Sequence, residues 1–212
     1  MIIQPIRCAI FRPLQSLEAY VVRSVPKLHD GDILVVTSKI VALSEGRVME
    51  NGRGRKTRLI KQESQKAFKT RWCYLTLKNG HWCPNAGIDE SNADGKLILW
   101  PRDSYQSAST LRKILMRKFK IRKLGVLITD SRTFPLRAGV TGVALGYAGF
   151  EGLRDYRGKP DIFKRALKMT QTNVADALAS AAVLLMGEGN EQMPLALIRE
   201  ALIKFTEKNN PV

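Results

Sequence analysis

"DILVVTSKIVAL", Asp32 to Leu43, carries the main fold signal of this chain. It is rich in β-branched residues and has few polar interruptions, so it reads as one buried strand. Pro26 and Asp30-Gly31 break the chain just before it. Ahead of that break, Leu17–Ser24 reads as a helix.

Around this strand the composition sets bounds. A chain of 212 residues can bury a proper core, in one domain or two small ones, and 44% hydrophobic content is ordinary for a globular protein. The longest apolar tract, Ala179–Met186, is far too short to cross a bilayer. The opening "MIIQPIRCAIF" has no basic segment followed by a long apolar one, so a cytoplasmic location is expected. Cys8, Cys73 and Cys83 are an odd, sparse set and not a disulfide framework. Cys73, His81 and Cys83 also lack a Cys-x-x-Cys knuckle, so they read as thiols and not as zinc ligands. The formal charge of +16 favours anionic partners: nucleic acid, nucleotides or polycarboxylates.

Other segments have recognisable local signals. "WCYLTLKNGHWCPNAG", Trp72 to Gly87, reads as a hairpin with a type I′ turn at Asn79-Gly80. "PRDSYQSASTLRKILMRKF" reads as a helix capped by Asp103 or Ser104, with Ala108, Leu111, Leu115 and Phe119 on one face. "KLGVLITDS" is an apolar strand ending in Asp130-Ser131. The glycines at 139, 142, 146, 149 and 152 match neither a dinucleotide fingerprint nor a P-loop, and they predict close backbone packing. "NVADALASAAVLLMGEGNEQMP" reads as an apolar helix ending at Met186-Gly187. Met49–Arg71, rich in glycine and cations and weakly helical, reads as an exposed connection.

Three loops share one chemistry. "NAGIDESNADG", Asn85 to Gly95, gathers Asp89, Glu90 and Asp94. Asp130 and Ser131 close a strand, and Glu188 follows a helix between two glycines. Carboxylates and hydroxyls on loops beside rigid elements suit hard cations such as Mg²⁺ or Mn²⁺. Such ions neutralise nucleotide phosphates. The Gly187–Asn190 backbone can aim N–H groups at a phosphate. Ala86-Gly87 lets the backbone come close to a neighbour. The first loop is not an EF-hand, because Ala93 stands at its third ligand position.

Taken together, "GDILVVTSKIVALSEGRV", "NAGIDESN", "VLITDS…RAGVTGVALGYAG", "DYRGKPDIF" and "VADALASAAVLLMGEGNEQMP" resemble the coenzyme F420-0:γ-glutamyl ligase (CofE-like) family, from about Ile6 to Arg199. Within it the likeness is greatest to a short bacterial branch described as folate-metabolism γ-glutamate ligases. The resemblance implies an α+β fold of two intimately joined subdomains in a single ligase unit over 1–212, and a homodimer. It implies GTP- or ATP-dependent ligation of L-glutamate to folate or coenzyme F420-0, with Mg²⁺ or Mn²⁺, two ions, and K⁺ as a further ion. Asp89, Asp130 and Glu188 would be the catalytic carboxylates, and with Ser131 would hold the metals. Asn92 would contact the nucleotide. So would Arg12, Pro13, Leu14, Gln15, Ser38 and Lys39, and the loop of Met186, Gly187, Glu188, Gly189, Asn190, Glu191, Gln192 and Met193.

The chain also departs from the family pattern. Leu43 stands where a nucleotide-contacting lysine is common, and Lys39 would supply the charge in its place. Ser131 replaces a common threonine, and "SRTFPL", Ser131 to Leu136, replaces a more polar turn. Met49–Arg71 is shorter than in longer members. Two rival readings follow: a family member that binds nucleotide without ligating, and a basic nucleic-acid-binding protein using Arg112–Lys123 and Arg53–Arg71. The second lacks any RNA-binding signature with stacking aromatics.

Overall fold

The structure, a computed structural model, describes residues 1–134 and 136–208. Strand β1 (Ile2–Ile6) leads to helix α1 (Leu17–Ser24), strand β2 (Asp32–Thr37) and helix α2 (Ser38–Ser44). The expected single strand over Asp32–Leu43 is therefore two elements. Its parallel pairing with β8 (Leu124–Arg132) ends at Thr37 opposite Thr129. Beyond that point Ile40, Val41, Ala42 and Leu43 bury themselves on a helical turn, so tertiary packing outweighs β-propensity.

The main sheet has the order β1-β12-β2-β8-β9, with β9 at Thr141–Ala148 and β12 at Leu195–Arg199; between them in the chain, β10 (Leu153–Asp155) and β11 (Gln171–Asn173) form a separate antiparallel pair. Its β2–β8 pair is parallel and its other three pairings are antiparallel. β2 is buried on both faces. Leu34 and Val36 pack with α1, α2 and α4 (Ser104–Phe119), while Ile33 and Val35 pack under α5 (Val174–Met186). That two-sided burial explains the unbroken apolar run. The outcome is an α+β chain.

α4 begins where expected, with the Asp103 carboxylate accepting from the Gln106 N–H at 2.9 Å. Its Ala108, Leu111 and Leu115 are buried and Phe119 packs at the edge. The glycine tract packs closely. A Cβ at Gly142 would lie 2.4 Å from the Ala179 carbonyl oxygen, and one at Gly146 would lie 2.5 Å from the Ser104 backbone.

A smaller unit flanks the sheet. β3 (Val48–Glu50) pairs with β7 (Lys96–Ile98), and β4 (Lys66–Lys69), β5 (Tyr74–Lys78) and β6 (His81–Pro84) form a second sheet. The hairpin turn is as expected, with φ of 50° at Asn79 and 76° at Gly80. Met49–Arg71 is more than a connection. It holds α3 (Arg55–Gln62), whose Leu59 and Ile60 pack on Ile88, Leu97 and Leu99. Its cations stay outside because the helix has one apolar edge and charge elsewhere. In "SRTFPL", Pro135 lies outside the described residues. Among the described residues no helix is long and apolar enough to cross a membrane.

Candidate functional site

A cleft of about 740 Å³ opens at the end of the β2–β8 pair. Parallel strands deliver their C-terminal ends to one edge, where loops can carry chemistry. Thr37 leads into Ser38 and Lys39 on α2, and β8 delivers Thr129, Asp130 and Ser131. The Asn85–Gly95 loop forms a second wall and the segment after α5 a third.

The acidic loop is held at its backbone. Asp89 exchanges both N–H···O bonds with Ile98, each 2.9 Å. Its carboxylate takes the Lys39 ammonium at 2.8 Å, the Ser91 N–H at 2.7 Å and the Ser91 hydroxyl at 2.8 Å. Partial burial pushes this carboxyl up. The Lys39 and Ser91 donors outweigh that and hold it below its ordinary value. Asn92, at φ 51°, donates from its side-chain amide to the Gly189 carbonyl at 2.9 Å. That bond ties the loop to the segment after α5. Glu90 turns away to Lys56 of α3 at 2.8 Å.

Asp130 behaves differently. Burial raises its carboxyl to about 6, despite donors from Trp100 and the Ser131 backbone, and the Asp89 charge pushes the same way. The Trp100 indole N–H reaches Asp130 Oδ2 at 2.5 Å. Next to it, the Ser131 hydroxyl donates to Glu188 Oε1 at 2.6 Å. Thr129 Oγ1 is buried in the cleft wall with no hydrogen-bond partner among the described residues.

Most expected site residues meet here: Arg12, Pro13, Ser38, Lys39, Asp89, Asn92, Asp130, Ser131 and Met186 through Met193. Leu14 and Gln15 do not line the cleft. The Leu14 N–H bonds the Leu43 carbonyl, and the Gln15 side chain accepts from the Arg12 N–H. Two N–H groups expected to face a phosphate are engaged elsewhere. Gly187 donates to Val183 at 3.0 Å, closing α5, and Gly189 donates to the Glu191 carboxylate at 2.8 Å. Leu43 does line the cleft, one helical turn from Lys39 on the same face.

Sequence reasoning missed Trp100, Thr129 and the apolar wall of Cys8, Phe11, Tyr20, Ile40 and Ile98. Phe11 and Tyr20 meet edge to face at 4.9 Å, and the Tyr20 hydroxyl is spent on the Ala9 carbonyl at 2.6 Å. No local signal marks these residues, because strand pairing brings them together from distant parts of the chain.

The donor set suits a hard divalent ion. Among the described residues no three His, Cys, Asp or Glu side chains converge into a ready cage. Mg²⁺ does not need one, since it commonly takes one or two carboxylates and completes its shell with substrate phosphates and water. The local charge agrees. Among the described lining residues, Asp89, Asp94, Asp130, Glu188 and Glu191 face only Arg12, Lys39 and Lys96. This acidic excess lies in a chain of net charge +16.

Comparison with known proteins gives concordant results. The family model described as F420-0:Gamma-glutamyl ligase matches residues 5–200. The coenzyme F420:L-glutamate ligase of Methanocaldococcus jannaschii is 32% identical over 197 residues, covering 84% of this chain and 79% of that protein. The Archaeoglobus fulgidus protein of the same name is 34% identical over 200 residues, covering 85% of this chain and 80% of its own length. A third, from Methanopyrus kandleri, is 33% identical over 208 residues, covering 89% and 82%.

Proposed function

Because the chain belongs to the F420-0:γ-glutamyl ligase family, we propose that it joins the amino group of L-glutamate to a coenzyme carboxylate at the expense of a nucleoside triphosphate. The observation that carries this reading is the meeting of Asp89, Asp130, Ser131, Glu188 and Lys39 on one cleft. The acceptor class is F420-0 or a folate, each of which presents a carboxylate for extension, and the nucleotide is GTP or ATP.

The chemistry balances in two steps. An acceptor carboxylate oxygen attacks the γ-phosphorus and the nucleoside diphosphate leaves, giving an acyl phosphate. The free amine of glutamate then attacks the acyl carbon. Inorganic phosphate departs, an amide forms and the amine gives up a proton. The protein mainly positions reactants and neutralises charge. Arg12 lines the cleft and would hold phosphate or carboxylate groups; Lys39 would do so on releasing Asp89. Arg137 is not among the lining residues. The apolar wall of Phe11, Ile40 and Leu43 suits a heterocycle. Asp89, Asp130, Ser131 and Glu188 would hold Mg²⁺ or Mn²⁺, which when bound offsets the negative charge of the phosphates.

The test supplies GTP or ATP, isotopically labelled glutamate and a panel of F420-0 and folates, and reads mass. A product heavier by one glutamate, formed only with divalent metal and lost in Asp130→Asn, is the expected result. Undiminished activity in folded Asp130→Asn would sink the metal assignment. Nucleotide binding with no product from any acceptor would favour the second reading, a binding protein without ligase activity, which Leu43 in the cleft wall supports. A homodimer is part of the proposal, supported by exposed Ile162, Phe163 and Met169. A sedimentation mass of one chain would remove it.

A further inference from the structure

Trp100 follows β7 and is 7% exposed, unlike Trp72 and Trp82, which are 84% and 47% exposed. Its place is fixed from three sides. The indole lies against Gly87, where a Cβ would stand 2.1 Å from the ring. The Lys78 ammonium sits over the ring, 5.4 Å from its centroid, and donates to the Ala86 carbonyl at 3.2 Å. The Trp100 carbonyl accepts from Arg47 Nε at 3.1 Å. Arg47 and Lys78 are held in turn by one carboxylate, Glu63, each at 2.8 Å. An exposed indole would not need such bracing. Among the described residues the braced N–H has one acceptor, Asp130 Oδ2.

We propose that Trp100 is a positioning residue, whose indole N–H holds the Asp130 carboxylate in the orientation that it presents to a divalent cation in the cleft. This rests on the metal-assisted ligase reading above. Groups that orient a metal-ligating carboxylate by hydrogen bonding typically contribute about 10–100-fold in affinity. The bond also explains why the acidic loop begins with Asn-Ala-Gly. Gly87 supplies the seat for the ring and Ala86 the carbonyl for the lysine above it.

The experiment starts from a Trp72→Phe/Trp82→Phe chain, in which Trp100 is the only indole. Mn²⁺, a paramagnetic quencher, should quench Trp100 emission on binding. Free Mn²⁺ is then counted by electron paramagnetic resonance for this chain, for a version carrying the benzothienyl isostere at position 100, and for Trp100→Phe. The isostere keeps the ring shape and loses only the N–H, so it should melt like its parent and bind Mn²⁺ about 10–100-fold more weakly. Trp100→Phe should do the same even if less stable. Equal affinities with and without the N–H would overturn the inference and leave the proposed function standing. Binding of Mn²⁺ without quenching would overturn it too. If the parent chain binds no Mn²⁺, the metal assignment fails and this inference falls with it.

Discussion

Gly87→Ala is the sharpest test of how the acidic loop is built. Two independent costs meet at this position. Gly87 has φ of 70°, where an L side chain costs about 1–2 kcal/mol. The new Cβ would lie 2.1 Å from Trp100 Cε2 and 2.2 Å from Nε1, far inside contact distance. The indole cannot retreat easily, because Lys78 covers one face and Arg47 holds its backbone. Overpacking of this kind costs roughly 1–3 kcal/mol. The sum, about 2–5 kcal/mol, corresponds to a fall in melting temperature of about 5–15 °C for a chain of this size. A double-mutant cycle with Trp100→Leu separates the two parts. Leucine removes the ring atoms that the Cβ would strike, so the steric part should vanish while the backbone part remains. A coupling of about 1–3 kcal/mol is therefore expected from urea unfolding followed by circular dichroism. Additivity within about 0.5 kcal/mol, or a single-variant loss below about 1 kcal/mol, would refute the idea that Gly87 is the seat of Trp100.

Glu63→Gln should cost about 3 kcal/mol, because Lys78, whose side chain is 8% exposed, would lose its carboxylate partner. Burial raises the Glu63 carboxyl, but bonds from Lys78 and Arg47 bring it below its ordinary value of 4.5. The folded state therefore binds this proton less readily than the unfolded state. Its stabilisation is full above about pH 4.5 and is lost as pH falls through the lowered folded value. Urea midpoints measured from pH 7 to pH 3 should show an acid limb that shrinks in the variant, and identical limbs would contradict the assignment. Leu43 is 8% exposed in the cleft wall, so Leu43→Lys would bury its stem and reach its ammonium into the cleft; it should lower the nucleotide KM roughly five-fold, about 1 kcal/mol. An unchanged KM would mean that the phosphates do not pass over residue 43.

The sequence was most legible where physics is local. The Asn79-Gly80 turn, the Asp103 cap and the end of α5 at Gly187 each depend on residues within a few positions of one another. Asp32–Leu43 misled because Ile40, Val41, Ala42 and Leu43 are equally apolar on a strand or a helix, and only the end of the β8 pairing decides between them. Met49–Arg71 misled for the opposite reason. Its charges hide two buried residues, Leu59 and Ile60, that anchor α3. At the site, the acids were legible as residue types in loops. Their surroundings were not, since the contact from Trp100 to Asp130 spans 30 positions and that from Asn92 to Gly189 spans 97.

The charge pattern links these observations. A chain of +16 attracts anions from a distance, and long-range attraction is set by total charge. Close approach is set by what lines the cleft, and there acids outnumber bases. A triphosphate drawn to the surface would meet Asp89, Asp130 and Glu188 at short range and be repelled, unless positive charge arrived with it. Lys39 already neutralises Asp89, and the depressed carboxyl of Asp89 records that pairing. Asp130 has neutral hydrogen-bond donors beside it, and burial, aided by the Asp89 charge, raises its carboxyl despite them and despite the Lys39 charge. The position most in need of positive charge is therefore Asp130, the residue that the Trp100 indole holds in place. A divalent ion accompanying the nucleotide would meet that need, which makes the acidic floor of a basic protein consistent with phosphate chemistry.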